Sequence, residues 1–178
     1  MYQLKNNSLI LEVHPKGAEL FSIKDTATNR EYLWQGDEAY WGRRAPVLFP
    51  FVGKLKNNAY QYQGNVFPMN QHGFARDMEF QLQEQTENLL HLYTQSTPET
   101  LKVYPFHFRL DIIYTLQKKR ITCSWEVRNT GKEMMYFSIG AHPGFICPIN
   151  ENENLSDYML EFDADESSPR NLLSDGLY

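Results

Sequence analysis

The stretch FPMNQHGFARDMEF (67–80) places His72 directly before a glycine, an aromatic, an alanine and Arg76. A second stretch, SIGAHPGFICP (138–148), places His142 before a proline and Gly144. An imidazole with its ordinary pKa of about 6.5 gives or takes a proton near neutral pH. Glycine reaches backbone angles closed to other residues and proline stiffens the chain, so both histidines belong to constrained turns. Functional side chains collect in such turns when strands hold them rigidly. If the two turns meet, the chemistry on offer is proton transfer to and from a bound ligand. A histidine beside glycine also has a simpler role, as a turn residue making one hydrogen bond, and residue types alone leave both roles open. Arg76 and Lys54 are candidate donors to anions or hydroxyls. Arg76 is the stronger of the two because it lies close to His72 and its planar fork grips paired oxygens. A solvated surface charge is the alternative for either.

Other chemistries fare worse. His14 begins the turn HPKG, and His91 and His107 fall in strands. No H-x-x-x-H or C-x-x-C spacing supports a metal site, and Cys123 and Cys147 are too few for a disulfide scaffold; a bridge between them stays open. Nucleophile-elbow and phosphate-loop patterns are missing, and the glycines of GAHPG are wrongly spaced for a dinucleotide fingerprint. Phe74 and Phe145, beside the two histidines, are candidate apolar walls of a pocket or simple structural anchors.

The elements that must position these turns are strands. In FHFRLDIIYTL, Phe108, Leu110, Ile112, Tyr114 and Leu116 alternate with polar residues, and ITCSWEVRN puts Ile121, Cys123, Trp125 and Val127 on one face. Period-two alternation on both sides of a short polar QKK predicts an antiparallel hairpin. YMLEFD repeats the pattern with Tyr158, Leu160 and Phe162, and LILEV, ELFSIK and LLHLYTQ are further strands. Turn-forming clusters (HPKG, DTATN, LKNNAY, STPET, NTGKE) separate them. GDEAYWG (36–42) and TPETLKVY each have room for one helical turn. The expected fold class is all-β, a sandwich with sheet faces buried on each other.

With 178 residues, 42% of them hydrophobic and 14% aromatic, the chain has enough apolar mass for one packed domain, or for part of a larger one. A net charge of −5 with dispersed Lys and Arg argues against nucleic-acid binding. No apolar run approaches the roughly 20 residues that span a bilayer, and the N-terminus does not read as a signal peptide. A reducing cytoplasm is the simplest location.

Four blocks, APVLFPFVGKLKNNAYQYQG, PMNQHGFARDMEF, YPFHFRLDIIYTL and FSIGAHPGF, together resemble the aldose 1-epimerase (galactose mutarotase-like) family, and its bacterial LacX-like branch most. They run in collinear order over nearly the whole chain. The resemblance implies a β-supersandwich that interconverts the α and β anomers of an aldose without cofactor or metal. It gives His142 the place of the general acid, and His72 that of the histidine that holds the sugar and supports developing charge. Lys54 stands where the family carries an arginine, keeping the charge and losing the planar fork. An arginine at the place of Arg76 holds phosphate in the hexose-6-phosphate epimerase branch, so a free sugar and a sugar phosphate both stay open as the ligand.

The family's catalytic glutamate and a sugar-binding aspartate come later than Tyr178. Residues 1–178 are thus expected to be the N-terminal part of a single mutarotase-like sandwich domain. Glu161 and Asp163 read as solvated strand residues, not as substitutes for the base. Such a piece would catalyse poorly alone and could form homo-oligomers through exposed sheet edges. The runner-up function is a non-catalytic carbohydrate-binding or sugar-sensing module, and a third is a structural β-domain that binds no sugar.

Overall fold

The computed structural model describes residues 1–165 together with 167, 169, 172 and 174. It is mostly β. Strands β1 (Tyr2–Lys5), β2 (Leu9–His14) and β3 (Glu19–Asp25) form one antiparallel sheet. Strands β7 (Gln81–Gln85), β8 (Leu89–Gln95), β9 (Phe108–Gln117) and β10 (Arg120–Asn129) form a second, in the order β10-β9-β8-β7. Two short ladders complete the description: β4 (Val47–Leu48) with β11 (Gly140–Ala141), and β5 (Ala59–Tyr62) with β6 (Asn65–Pro68).

The alternation in the sequence explains the packing. In β2, Leu9, Leu11 and Val13 are buried while Ile10, Glu12 and His14 are half-buried. The even positions of β9, from Phe108 to Leu116, supply the facing layer, and all are buried. The predicted hairpin forms as read, with Gln117 opposite Arg120 and the turn at Lys118–Lys119, where Lys118 takes φ 54°. Pro98–Val103 is a short helix, α1, started by a reciprocal cap between Thr97 and Thr100 with proline in its first turn. At GDEAYWG the chain makes a turn, with the N–H groups of Tyr40 and Trp41 both donating to the Asp37 carbonyl.

YMLEFD is a correction. Residues 158–162 pair with no strand among the described residues, and Met159, Leu160 and Phe162 are exposed. Alternation marks a segment able to line a sheet, but a strand forms only where a neighbour supplies the ladder and covers the apolar face.

Asp111 is fully buried in β9. Arg109 donates to both of its oxygens (2.7–3.1 Å), and His91 Nε2 lies 2.7 Å from Oδ1. Burial pushes its carboxyl up, but the Arg109 and His91 hydrogen bonds outweigh that and hold it below its ordinary value. A carboxylate favoured in the folded state stabilises the fold above the unfolded pKa, and that contribution is lost as pH falls through the lower folded value. Asp111→Asn should therefore cost about 2 kcal/mol at pH 7, since the charge-assisted hydrogen bonds from Arg109 and His91 are lost. Urea titrations at stepped pH should show the mutant losing less stability than the parent below about pH 4.

Candidate active site

The two histidine turns meet because one buried segment runs between them. Residues 45–50, APVLFP, are buried throughout. One edge of this segment pairs with β11, Gly140 opposite Leu48 and Ala141 opposite Val47, and the His142 N–H donates to the Pro46 carbonyl at 3.1 Å. The other edge meets the QHGF turn through a parallel bridge from Phe49 to Gly73. The Phe49 carbonyl accepts from both Phe74 and Ala75 (3.0 and 3.1 Å). Neighbouring strands lie about 4.8 Å apart, so residues flanking one shared strand have rings within reach of each other. The His72 and His142 ring centroids are 6.3 Å apart, tilted by 54°.

The residue after His72 has to be glycine. Gly73 takes φ 71°, and a Cβ there would fall 2.2 Å from the Phe49 carbonyl oxygen. His72 itself takes φ 67°, left-handed backbone that costs a side chain about 1–2 kcal/mol. A reciprocal clamp offsets that strain. The His72 N–H donates to the Gly53 carbonyl (2.8 Å), and the Gly53 N–H donates to His72 Nδ1 (2.9 Å). An Nδ1 that accepts carries no proton, so the neutral ring bears its hydrogen on Nε2. Gln71 lies 3.3 Å from that Nε2 and is satisfied there when its amide oxygen faces the ring. Partial burial pushes the His72 pKa down, and the Arg76 and His142 charges push it the same way. His72 is thus built as a neutral donor. Gly53 was not singled out in the sequence reading; its one signal is a glycine closing the apolar run that begins at Ala45.

His142 is exposed. Around it the chain alternates: Ala141, Pro143 and Phe145 line a small apolar cavity of about 270 Å³ with Ile23, Tyr114 and Trp125. His142 faces the other way, toward His72 and the Trp41 ring at 4.9 Å. Phe145 therefore walls the apolar cavity and not the histidine pair. Phe74 is also removed from the pair: its ring packs on Phe49, Tyr104 and Phe108 in the core.

Arg76 follows in the 3₁₀ turn Ala75–Asp77, its guanidinium donating to the Gln71 carbonyl at 2.7 Å. It lines a neighbouring cleft of about 430 Å³ with His14, Lys16, Arg43 and Asp77. Lys54 follows Gly53 directly and is exposed. A separate groove of about 580 Å³ is walled by Phe51, Tyr60, Tyr62, Phe106 and Tyr136. Glu161 and Asp163 are exposed, and among the described residues neither His72 nor His142 hydrogen-bonds a carboxylate. Cys123 and Cys147 are free thiols.

The mostly antiparallel β fold that carries the two imidazoles is that of galactose mutarotase-like structures. A galactose mutarotase-related enzyme of Lactobacillus acidophilus superposes with a TM-score of 0.84 at 39% identity, over 86% of this chain and 51% of that one. A galactose mutarotase-like protein of Lactobacillus casei gives 0.80 at 35% identity, over 82% and 49%. The plasmid and chromosomal LacX proteins of Lactococcus lactis subsp. lactis are each 42% identical over 172 residues, 93% of this chain and 57% of theirs. The aldose 1-epimerase family pattern matches residues 1–172, and the chain belongs to that family. It spans a little over half the length of these curated relatives.

Proposed function

We propose that the His72–His142 pair binds an aldose, free or 6-phosphorylated, and performs the acid half of anomer interconversion. The observation that supports this best is the convergence of the two rings at 6.3 Å in a chain of this family. His142, exposed just past the end of β11, acts as general acid. Its proton goes to the pyranose ring oxygen as the bond from that oxygen to C1 breaks. The C1 hydroxyl gives its proton to a base, C1 becomes a carbonyl, rotation exposes its other face, and reclosure yields the other anomer. Neutral His72 donates from Nε2 to a sugar oxygen and supports charge as it develops. Arg76 and Lys54 orient hydroxyls or a 6-phosphate. The base that takes the C1 hydroxyl proton is a carboxylate in this scheme, and none among the described residues hydrogen-bonds either imidazole.

A non-catalytic sugar-binding role is the second reading, favoured by the lack of a carboxylate on either imidazole among the described residues. Polarimetry of freshly dissolved α-galactose, α-glucose and glucose 6-phosphate separates the two, with the Lactococcus LacX protein measured alongside. Faster anomer equilibration supports the enzyme. Calorimetric binding that falls with His72→Ala and Arg76→Ala while polarimetry stays flat supports the binding module. Neither binding nor acceleration would overturn both.

A further inference from the structure

The contact that holds His142 belongs to no residue assigned so far. Trp41 closes the 37–41 turn, its N–H donating to the Asp37 carbonyl at 2.8 Å. Its own carbonyl accepts from Trp34 Nε1 at 2.8 Å. The Trp34 N–H donates to the Gly144 carbonyl (2.9 Å), and the Gly144 N–H donates to the Arg44 carbonyl (2.8 Å). The Trp41 turn and the His142 turn are thereby tied through Trp34 on one side. On the other, the Trp41 ring lies 4.9 Å from the imidazole, tilted by 56°. Gly144 makes the approach feasible, since a Cβ there would fall 3.0 Å from Trp41 Cζ3 and 3.0 Å from Trp34 Cβ.

We propose that Trp41 is the positioning residue of His142, its indole fixing the tilt at which the exposed imidazole faces His72. An exposed ring free to rotate about its side-chain bonds would spend little time aimed at a bound ligand. A half-buried indole tied at both ends of its residue removes that freedom before ligand arrives. This deepens the proposed function and rests on it for the catalytic consequence, though not for the geometry.

The test uses Trp41→Leu, which keeps apolar bulk without a ring, and Trp41→Phe, which restores one. A second perturbation, Gly144→Ala, adds a Cβ 3.0 Å from Trp41 Cζ3 and so pushes the indole aside. Proton NMR of this chain reads the ring-current displacement of the His142 Hδ2 and Hε1 resonances. The displacement should vanish in Trp41→Leu, shrink in Gly144→Ala and largely return in Trp41→Phe. In mutarotation, Trp41→Leu should lower kcat about tenfold with KM within about twofold, and Trp41→Phe should recover most of the loss. His142 resonances unchanged by Trp41→Leu would overturn the proposal whatever the activity. Resonances that move in a parent protein with no mutarotation or sugar binding would leave Trp41's role standing and sink the functional reading instead. If Trp41→Leu fails to fold, the comparison of Trp41→Phe and Gly144→Ala with the parent decides.

Discussion

Gly73→Ala should cost about 4 kcal/mol or more, a large part of the roughly 5–15 kcal/mol that holds a domain folded. The added methyl would sit 2.2 Å from the Phe49 oxygen and 2.5 Å from its carbonyl carbon, both backbone atoms of a buried segment. Neither partner is a flexible tip that can swing aside. Relief requires the QHGF turn to lift off Phe49, which breaks the hydrogen bonds from Phe74 and Ala75 and separates His72 from His142. Gly53→Ala is the control. It shares a positive φ, at 89°, but its Cβ would meet nothing within 4 Å. It should cost only the conformational penalty of about 1–2 kcal/mol. Urea denaturation of both variants measures the contrast, and equal losses would mean that the close approach at Phe49 is not what fixes the turn.

The second large effect is chemical. If His142 delivers the proton to the ring oxygen, His142→Ala should lower kcat for mutarotation about 10²- to 10⁴-fold, the usual contribution of a positioned general acid. KM should change little, because the exposed ring gives more to the transition state than to the bound sugar. His72→Ala should differ in kind and raise KM as well, since its Nε2–H donates to ground-state and developing charge alike. The pH dependence follows from the same assignment. His72 has a lowered pKa, so it stays neutral at and above the ordinary histidine range. It takes a proton only as pH falls through that lower value. Protonation of Nδ1 ends its bond from the Gly53 N–H, so sugar affinity should hold near neutral pH and fall on the acid side, below about pH 6.5. Affinity that weakens on the alkaline side of neutrality would contradict a neutral donor.

How much of this the sequence disclosed depended on whether a feature was local. The β9–β10 hairpin was legible because alternation and a two-residue polar turn lie within one stretch of chain. The constraint at Gly73 was legible as a residue type, but the atom it avoids belongs to Phe49, 24 positions earlier. APVLFP escaped assignment as a strand: it is buried on every side, so it has no period, and its prolines read as punctuation. That segment is nevertheless what joins the two histidines, one on each edge. Trp41 escaped for a similar reason, because an aromatic in a turn carries no mark of the ring it will touch. YMLEFD erred in the other direction, since periodicity describes a face without saying what covers it. The family resemblance supplied the pairing of His72 with His142 that no local pattern could. Its expected fold is the one observed, close to galactose mutarotase-like structures over about half of their chains.

The central claim is that His72 and His142 address one sugar. The most direct measurement follows the ring resonances of both histidines while galactose, glucose and glucose 6-phosphate are titrated into the protein. The account predicts that one of these sugars moves both imidazoles together, saturating at a single shared dissociation constant. Imidazoles that never respond, or that respond to a sugar at separate concentrations, would contradict it.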